Sequence, residues 1–341
     1  MSGLFKVIIA VLAGALALSP LTPALALEPV DDFGPNPGAL EAFLHRPANA
    51  APGMPMVVAL RGCTQSARDF DAETGLVALA DETPFLLLLP QQRAENMGRL
   101  CFRWHDTDDN QAGRGESASI LQMIDAVIAA EDVDPDRVYV MGLSAGGGMA
   151  AVMLANYPDR FAGGAIIAGP PYGCNRSVNA FDWYWTMLHH SPFALDGADA
   201  AYACGLFTSP ATDRNPAEWA EFVLDAAQLI PDEWPPVSLW MGANDDVVDP
   251  DNLRELTEQW TAVHGIDLIA DEEHSVGDAT RRVYFDAEGM PKVEAWDVGT
   301  LGHAVPVDPD SDTFPCGEVG EHMTDVNLCA VELITEFWNL K

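Results

Sequence analysis

Residues Gly142-Leu143-Ser144-Ala145-Gly146 constrain this chain more than any other stretch, because they spell Gly-x-Ser-x-Gly directly behind a short apolar strand. That strand reads Arg137-Val138-Tyr139-Val140-Met141 and is entered through Asp134-Pro135-Asp136. Behind the serine, Gly147 to Ala155 is small and apolar and reads as a buried helix. A strand, a sharp turn and a helix together form the context in which a serine hydroxyl is pushed out of the end of a sheet. The turn is strained, and its flanking glycines leave room for the chain to double back on itself.

Such an elbow needs a sheet around it, and the sequence supplies one. Met56 to Leu60 reads as a strand and Ala67 to Ala80 as a helix. Phe85-Leu86-Leu87-Leu88-Leu89 is a fully apolar strand ended by Pro90. Ser117 to Ala130 carries apolar residues at helical spacing. Gly164 to Ala168 and Val237-Ser238-Leu239-Trp240-Met241 are strand-like, while Leu253 to Val263 and Val326 to Leu340 look helical. Arg281 to Phe285 and Lys292 to Val298 read as two late strands joined by the turn Asp286-Ala287-Glu288-Gly289. Continuous apolar strands separated by helices predict an α/β fold, with a mainly parallel central sheet covered on both faces.

One segment departs from this alternation. Asn179 to Asp213 is rich in aromatics, among them Phe181, Trp183, Tyr184 and Trp185, and lies between two predicted strands. Insertions there form caps or lids in α/β enzymes. Trp183 and Trp185, with the nearby Tyr172, are candidates to line a substrate site; the alternative is that aromatics at near-helical spacing simply fill the core.

The amino terminus reads as an export signal rather than as part of the fold. Lys6 supplies a positive start, Val7 to Leu18 an apolar run, and Ala24-Leu25-Ala26 a small-x-small cleavage site. Pro20 and Pro23 cut the apolar run short of a membrane span. Residues 27–341 are then expected to form one α/β catalytic domain. With 52 Asp and Glu against 17 Lys and Arg the net charge is −35, which repels nucleic acid and anionic lipid. The acids are dispersed, as on a solvated surface, and are not gathered into a tail. Export also bears on Cys63, Cys101, Cys174, Cys204, Cys316 and Cys329, since disulfides persist in oxidising compartments. Sequence alone does not choose among their pairings; taking them in order joins 63 to 101, 174 to 204 and 316 to 329. No Cys-x-x-Cys or His-Glu-x-x-His occurs, so no metal or other cofactor is expected.

A serine hydroxyl at neutral pH needs a positioned base, itself oriented by an acid. In a parallel sheet with an elbow these arrive in the order Ser, Asp or Glu, His, each from a loop at the carboxyl end of a strand. The Val237 strand stops at Gly242 and delivers Asn244-Asp245-Asp246-Val247-Val248-Asp249 into a loop. Asp245 is the first choice, Asp246 its near rival and Asp249 a more distant one, because nothing local separates neighbours. After Val298 comes Gly299-Thr300-Leu301-Gly302-His303-Ala304, a glycine-flanked loop histidine late in the chain. An oxyanion hole would use the backbone N–H of Ala145, and a second donor from the loop after an early strand. Leu60-Arg61-Gly62-Cys63-Thr64-Gln65 occupies that place, which makes the N–H of Cys63 the candidate.

Several motifs now stand in sequence order. They are Gly62-Cys63-Thr64-Gln65, Gly115-Glu116-Ser117-Ala118-Ser119-Ile120, Gly142-Leu143-Ser144-Ala145-Gly146-Gly147, Ala168-Gly169-Pro170-Pro171-Tyr172-Gly173-Cys174, Trp240-Met241-Gly242 with Asp245, and Gly302-His303-Ala304. Over roughly Pro55 to Val307 the chain resembles the secreted polyhydroxybutyrate depolymerase-like esterases, which are related to feruloyl and acetylxylan esterases. The resemblance implies an α/β-hydrolase fold, a Ser144–Asp245–His303 triad, and Cys63 and Ala145 at the oxyanion hole. The family usually carries His-Gly-Cys where this chain has Arg61-Gly62-Cys63, and the 179–213 segment looks longer than in its short members. No polymer-binding domain is legible after the hydrolase part, so soluble oligomers, amorphous polymer or small esters are expected substrates before crystalline polymer.

The expected protein is therefore a secreted or periplasmic serine ester hydrolase acting on hydroxyalkanoate oligomers, polymer or related carboxylic esters through an acyl-enzyme. A carbohydrate esterase releasing ferulate or acetate is the nearest alternative. A catalytically inactive binding protein on the same scaffold is a different-class alternative, for which Arg61 is the only hint.

Overall fold

The apolar runs become the central strands of a ten-stranded sheet. The computed structural model describes residues 27–176, 200, 203–207 and 209–340. Its parallel centre comprises β4 (Leu86–Gln91), β3 (Met56–Leu60), β5 (Val138–Leu143), β6 (Gly163–Ile167), β7 (Val237–Gly242) and β10 (Pro291–Val298), adjacent in that order. Antiparallel β2 (Glu41–His45) and β1 (Glu28–Pro29) extend the β4 edge, and β9 (Ala279–Phe285) and β8 (Glu272–Val276) extend the β10 edge.

The central strands read as continuous apolar runs because both of their faces are covered. Met56, Val58 and Leu60 of β3 pack with Val138 and Val140 of β5 and with Leu239 of β7 on one side. That side is closed by α3 (Gly115–Glu131), α4 (Ala145–Asn156), α5 (Pro216–Ala226) and α6 (Asn252–His264), through Ile120, Met149, Trp219 and Trp260. Alternate residues, such as Val57, Ala59, Met141 and Trp240, face a second core. There Phe70 of α1 (Ala67–Thr74), Leu79 of α2 (Leu76–Glu82) and Ile334 of α7 (Ala330–Phe337) complete the packing. No helix among the described residues is long and apolar enough to cross a membrane.

Three boundaries depart most from the sequence reading. The single helix expected over Ala67 to Ala80 is two helices, because Gly75 adopts a left-handed conformation (φ 77°) and caps α1. β4 does not end before Pro90 but continues to Gln91. Pro90 lies opposite Ala42 of β2, beyond the last β3 partner Val58↔Leu88, so its missing N–H leaves no acceptor wanting on that side. The last helix starts at Ala330 and not at Val326; Cys329 caps it, and Met323–Asp325 forms β12 beside β11 (Val305–Val307).

The disulfides join Cys63 to Cys101, Cys174 to Cys204 and Cys316 to Cys329, which is the pairing in order. Trp183 and Trp185 lie outside the described residues, as does most of Asn179 to Asp213. The described end of that segment closes on itself through a bridge between Cys204 and Ala211 and meets the loop after β7 through one between Leu206 and Val248.

Candidate active site

Ser144 sits between β5 and α4 with φ 56° and ψ −119°, a conformation that non-glycine residues adopt only under constraint. Its N–H donates to Ile167 O of β6 at 2.9 Å, and its carbonyl accepts from Gly148 N–H at 2.9 Å. The turn requires glycine on both sides. A Cβ at Gly142 would run into the Gly146 carbonyl, and one at Gly146 into the carbonyls of Leu60 and Arg61. That second contact presses the first turn of α4 against the loop after β3. Ser144 stays partly accessible while its neighbours are buried. Ala145 opens α4, so its N–H has no partner within the helix, and the positive end of the helix dipole lies beside the serine.

Asp245 and His303 meet at the same, carboxyl, edge of the parallel strands, beyond β7 and β10. His303 Nδ1 lies 2.8 Å from Asp245 Oδ2. The other carboxylate oxygen, Oδ1, accepts the N–H groups of Val247 and Val248, both at 2.9 Å. A carboxylate so held accepts at Oδ2, which puts the imidazole proton on Nδ1 and leaves Nε2 with the lone pair. The loops are stitched together by Ala243 N–H to Val298 O and Asn244 N–H to Leu301 O, both at 3.0 Å. From outside, Phe207 N–H donates to Val247 O at 2.6 Å and Asp249 N–H to Gly205 O at 2.7 Å. The two rival acids lie elsewhere. Asp246 is exposed, and Asp249 accepts from the N–H groups of Asp251 and Ala211.

The loop after β3 lies against this elbow. Gly62 N–H donates to Gln65 Oε1 at 3.1 Å, Thr64 N–H donates to Arg99 O at 2.7 Å, and Cys63 is tied to Cys101. Among the described residues the Cys63 N–H donates to no protein acceptor. Behind the loop Arg61 is buried, and burial lowers its pKa to about 10. Burial likewise pushes the Glu116 carboxyl up to about 8. Glu116 accepts from Gln92 Nε2 and from Arg103 N–H at 2.7 Å.

Tyr172 is buried, with its backbone N–H and carbonyl held by Gln259 at 3.0 and 2.9 Å. It borders a cavity of about 340 Å³ together with Thr107, Asn110, Gln111, Asn175 and Arg176. A residue that sequence reasoning passed over is His322, whose ring stands edge-on to that of His303 at 6.2 Å. No local signal marks it, because the contact depends on β12 pairing beside β11, and Val305 N–H donates to His322 O at 2.8 Å. Among the described residues no group of three or more His, Cys, Asp or Glu is placed to hold a metal ion.

Known proteins resemble this chain in sequence and in fold. Residues 40–205 match the family model described as Esterase PHB depolymerase. The poly(3-hydroxyalkanoate) depolymerase C of Paucimonas lemoignei is 39% identical over 315 residues, covering 92% of this chain and 70% of that protein. Feruloyl esterase B of Talaromyces stipitatus is 27% identical, covering 85% and 75% respectively. The acetylxylan esterase of Coprinopsis cinerea is 29% identical, covering 84% and 71%. Among solved structures, an acetyl xylan esterase from Aspergillus awamori superposes with a TM-score of 0.72 at 20% identity, covering 93% of this chain and all of that one. With its mainly parallel sheet and helices on both faces, the molecule has the α/β-hydrolase fold. The chain belongs to the Esterase PHB depolymerase family and is a carboxylic ester hydrolase.

Proposed function

We propose that Ser144, His303 and Asp245 form the catalytic triad of this esterase and that the N–H groups of Cys63 and Ala145 form its oxyanion hole. The observation that carries the reading is the 2.8 Å contact of His303 Nδ1 with the doubly anchored Asp245, on the sheet edge that also bears the strained Ser144. In the first step His303 Nε2 takes the Ser144 proton while Oγ attacks the ester carbonyl carbon. The carbonyl oxygen becomes an oxyanion facing the two N–H groups, and Asp245 stabilises the imidazolium. Collapse breaks the bond to the alcohol, which leaves with the proton held by His303. Water, deprotonated by the same imidazole, then attacks the acyl-enzyme, releasing the acid and restoring Ser144.

Hydroxyalkanoate oligomers or polymer are the proposed substrates, supported by the 39% identity to a protein named as a poly(3-hydroxyalkanoate) depolymerase. Feruloyl or acetyl esters of carbohydrates are the second reading, supported by relatives so named that span more than four-fifths of the chain. Turnover of hydroxybutyrate oligomers measured beside that of a methyl hydroxycinnamate and an acetylated xylan separates the two. The triad is tested on the same panel. Ser144→Ala is expected to abolish turnover of every ester while keeping the wild-type circular dichroism spectrum. Ester hydrolysis retained by that variant would overturn the assignment.

Export is part of the same proposal. The first 26 residues would be a cleaved signal directing the enzyme to the periplasm or medium, and residues 27–341 its catalytic domain. Support comes from the three disulfides, which fit an oxidising compartment, and from Leu27, which is buried in the second core. A mature protein whose amino-terminal sequence still begins at Met1 would contradict it.

A further inference from the structure

Arg61 stands where the family resemblance leads one to expect histidine, and it is among the largest fully buried side chains of the molecule, 1% exposed. Its hydrogen bonds all run to backbone carbonyls of the oxyanion loop and of the segment that the Cys63–Cys101 disulfide ties to that loop. Nη1 donates to Gly62 O at 3.2 Å and to Leu100 O at 2.9 Å, and Nη2 donates to Gln92 O at 3.0 Å. The guanidinium carbon lies 5.7 Å from the centre of the Phe102 ring, next to the disulfide partner Cys101. Gln92 in turn links this group to Glu116 through its side chain.

The contact with Gly62 O has a geometric consequence. Gly62 C=O and Cys63 N–H belong to one peptide unit, and in a trans peptide they point in opposite directions across a plane that resists twisting. No cis peptide occurs among the described residues. A donor that grips the Gly62 oxygen from inside therefore orients the Cys63 N–H on the other side. Every other handle on that unit is also fixed. Gly62 N–H is held by Gln65, Cys63 Sγ by Cys101, and Thr64 N–H by Arg99 O. The Cys63 N–H is left with no acceptor among the described residues. The elbow is at hand, since Gly146 packs against the carbonyls of Leu60 and Arg61.

We propose that Arg61 is the positioning residue of the oxyanion hole: its guanidinium holds the Gly62–Cys63 peptide plane so that the Cys63 N–H meets the oxyanion, and its charge polarises that peptide. This rests on the catalytic reading above, because it gives the Cys63 N–H its role. The guanidinium remains protonated at neutral pH, with a pKa of about 10. A cation bonded to the oxygen of a peptide draws electrons from it and strengthens its N–H as a donor. The fork is needed as well as the charge. Three carbonyls at three places are reached by a planar guanidinium with several N–H groups, whereas a lysine ammonium is a compact point charge with a shorter reach.

The experiment measures kcat, KM and transition-state-analogue affinity in Arg61→Gln and Arg61→Lys. Enzyme is counted by active-site titration with a fluorophosphonate, so that misfolded molecules do not enter kcat. A misaligned oxyanion donor weakens transition-state binding and leaves ground-state binding almost unchanged. Arg61→Gln is expected to lose roughly 10²-fold in kcat, with KM within about threefold of wild type. Affinity for a trifluoromethyl ketone, whose adduct carries the oxyanion, should fall in step with kcat/KM. Arg61→Lys should fall between Arg61→Gln and wild type. If Arg61→Gln fails to accumulate, Arg61→Lys carries the comparison alone, with the same division between kcat and KM. Wild-type kcat per titrated site, or a change confined to KM, would overturn the proposal, since a merely structural arginine lowers the yield of folded sites and not their rate. Ser144→Ala keeps the two readings apart. Turnover in that variant removes the catalytic reading, whereas an inactive Ser144→Ala beside an unimpaired Arg61→Gln removes only the role of Arg61.

Discussion

At the scale of single residues the catalytic proposal depends on which of three nearby acids serves the imidazole, and the two oxygens of Asp245 answer with different partners. Oδ1 is occupied by the Val247 and Val248 N–H groups, so the carboxylate cannot rotate away from His303. Asp245→Asn keeps the shape of this arrangement but presents an amide, whose NH₂ group is a donor toward Nδ1 and selects the wrong tautomer. Its kcat is expected to fall by about 10³- to 10⁴-fold at neutral pH. Asp246→Asn, at an exposed position without contact to His303, should stay within about twofold. Steady-state rates of the two variants on one ester check both statements, and the reverse order would reassign the acid. The proposed Ser144, Asp245 and His303 could be picked out of the sequence because each lies within about five residues of the end of an apolar strand, with a glycine close before it, which is local information. His322 could not, because what brings its ring to 6.2 Å from His303 is the pairing of two three-residue strands.

At the scale of elements the same division between local and distant information recurs. The central strands could be read directly from the sequence, since burial on two faces leaves apolar runs such as Phe85 to Leu89. The edge strands β2 and β8 could not, being short and holding polar residues such as Glu41 and His45, or Glu272 and His274. Helix α5 also went unread, although Asn215-Pro216-Ala217-Glu218 carries its signal, a capping box with proline in the first turn. The disulfides divide in their work. Cys316–Cys329, with a sequence separation of 13, ties the start of α7 to the chain segment between β11 and β12. Cys63–Cys101, with a separation of 38, fixes the loop beside the serine. Replacing Cys316 and Cys329 together by serine should cost about 3 kcal/mol of stability and little activity per folded molecule. Replacing Cys63 and Cys101 should cost about 4 kcal/mol and lower kcat as well. Thermal unfolding and active-site-normalised rates of the two double variants decide the matter. Equal kcat losses in both would show that the disulfides do not divide stability from catalysis.

At the scale of the whole molecule, the net charge of −35 and the buried carboxyls act on stability in the same direction. Burial pushes Asp71 up to about 6 and Glu116 up to about 8, and it also raises Asp109, Glu255 and Glu294. Against these, Arg46 lowers Glu131, and the hydrogen bond from Met290 N–H lowers Asp286. A carboxyl whose pKa is raised by folding binds its proton more tightly in the native state, so its contribution is present in full below the unfolded pKa. That contribution is lost as pH rises through the folded value. For Asp71 and Glu116 the loss runs from the ordinary carboxyl range, about pH 4, up to about pH 8. Deprotonation over the same interval adds negative charge to a surface that already repels itself. Burial also lowers His264 to about 4, which offsets part of this loss below about pH 6.5. The melting temperature is therefore expected to fall between about pH 5 and about pH 8, with Glu116 setting the upper part. Asp71→Asn retains an oxygen to accept the Val77 N–H, which Asp71 Oδ1 now accepts at 3.1 Å, and removes the charge. That variant should flatten the lower part of the profile, around pH 6, and leave the upper part, belonging to Glu116, unchanged. Added salt separates the two causes, because it screens surface repulsion but leaves the desolvation of buried carboxyls in place. A melting temperature that rises with pH across this interval would refute the account. A profile that salt flattens completely would assign the whole effect to surface charge.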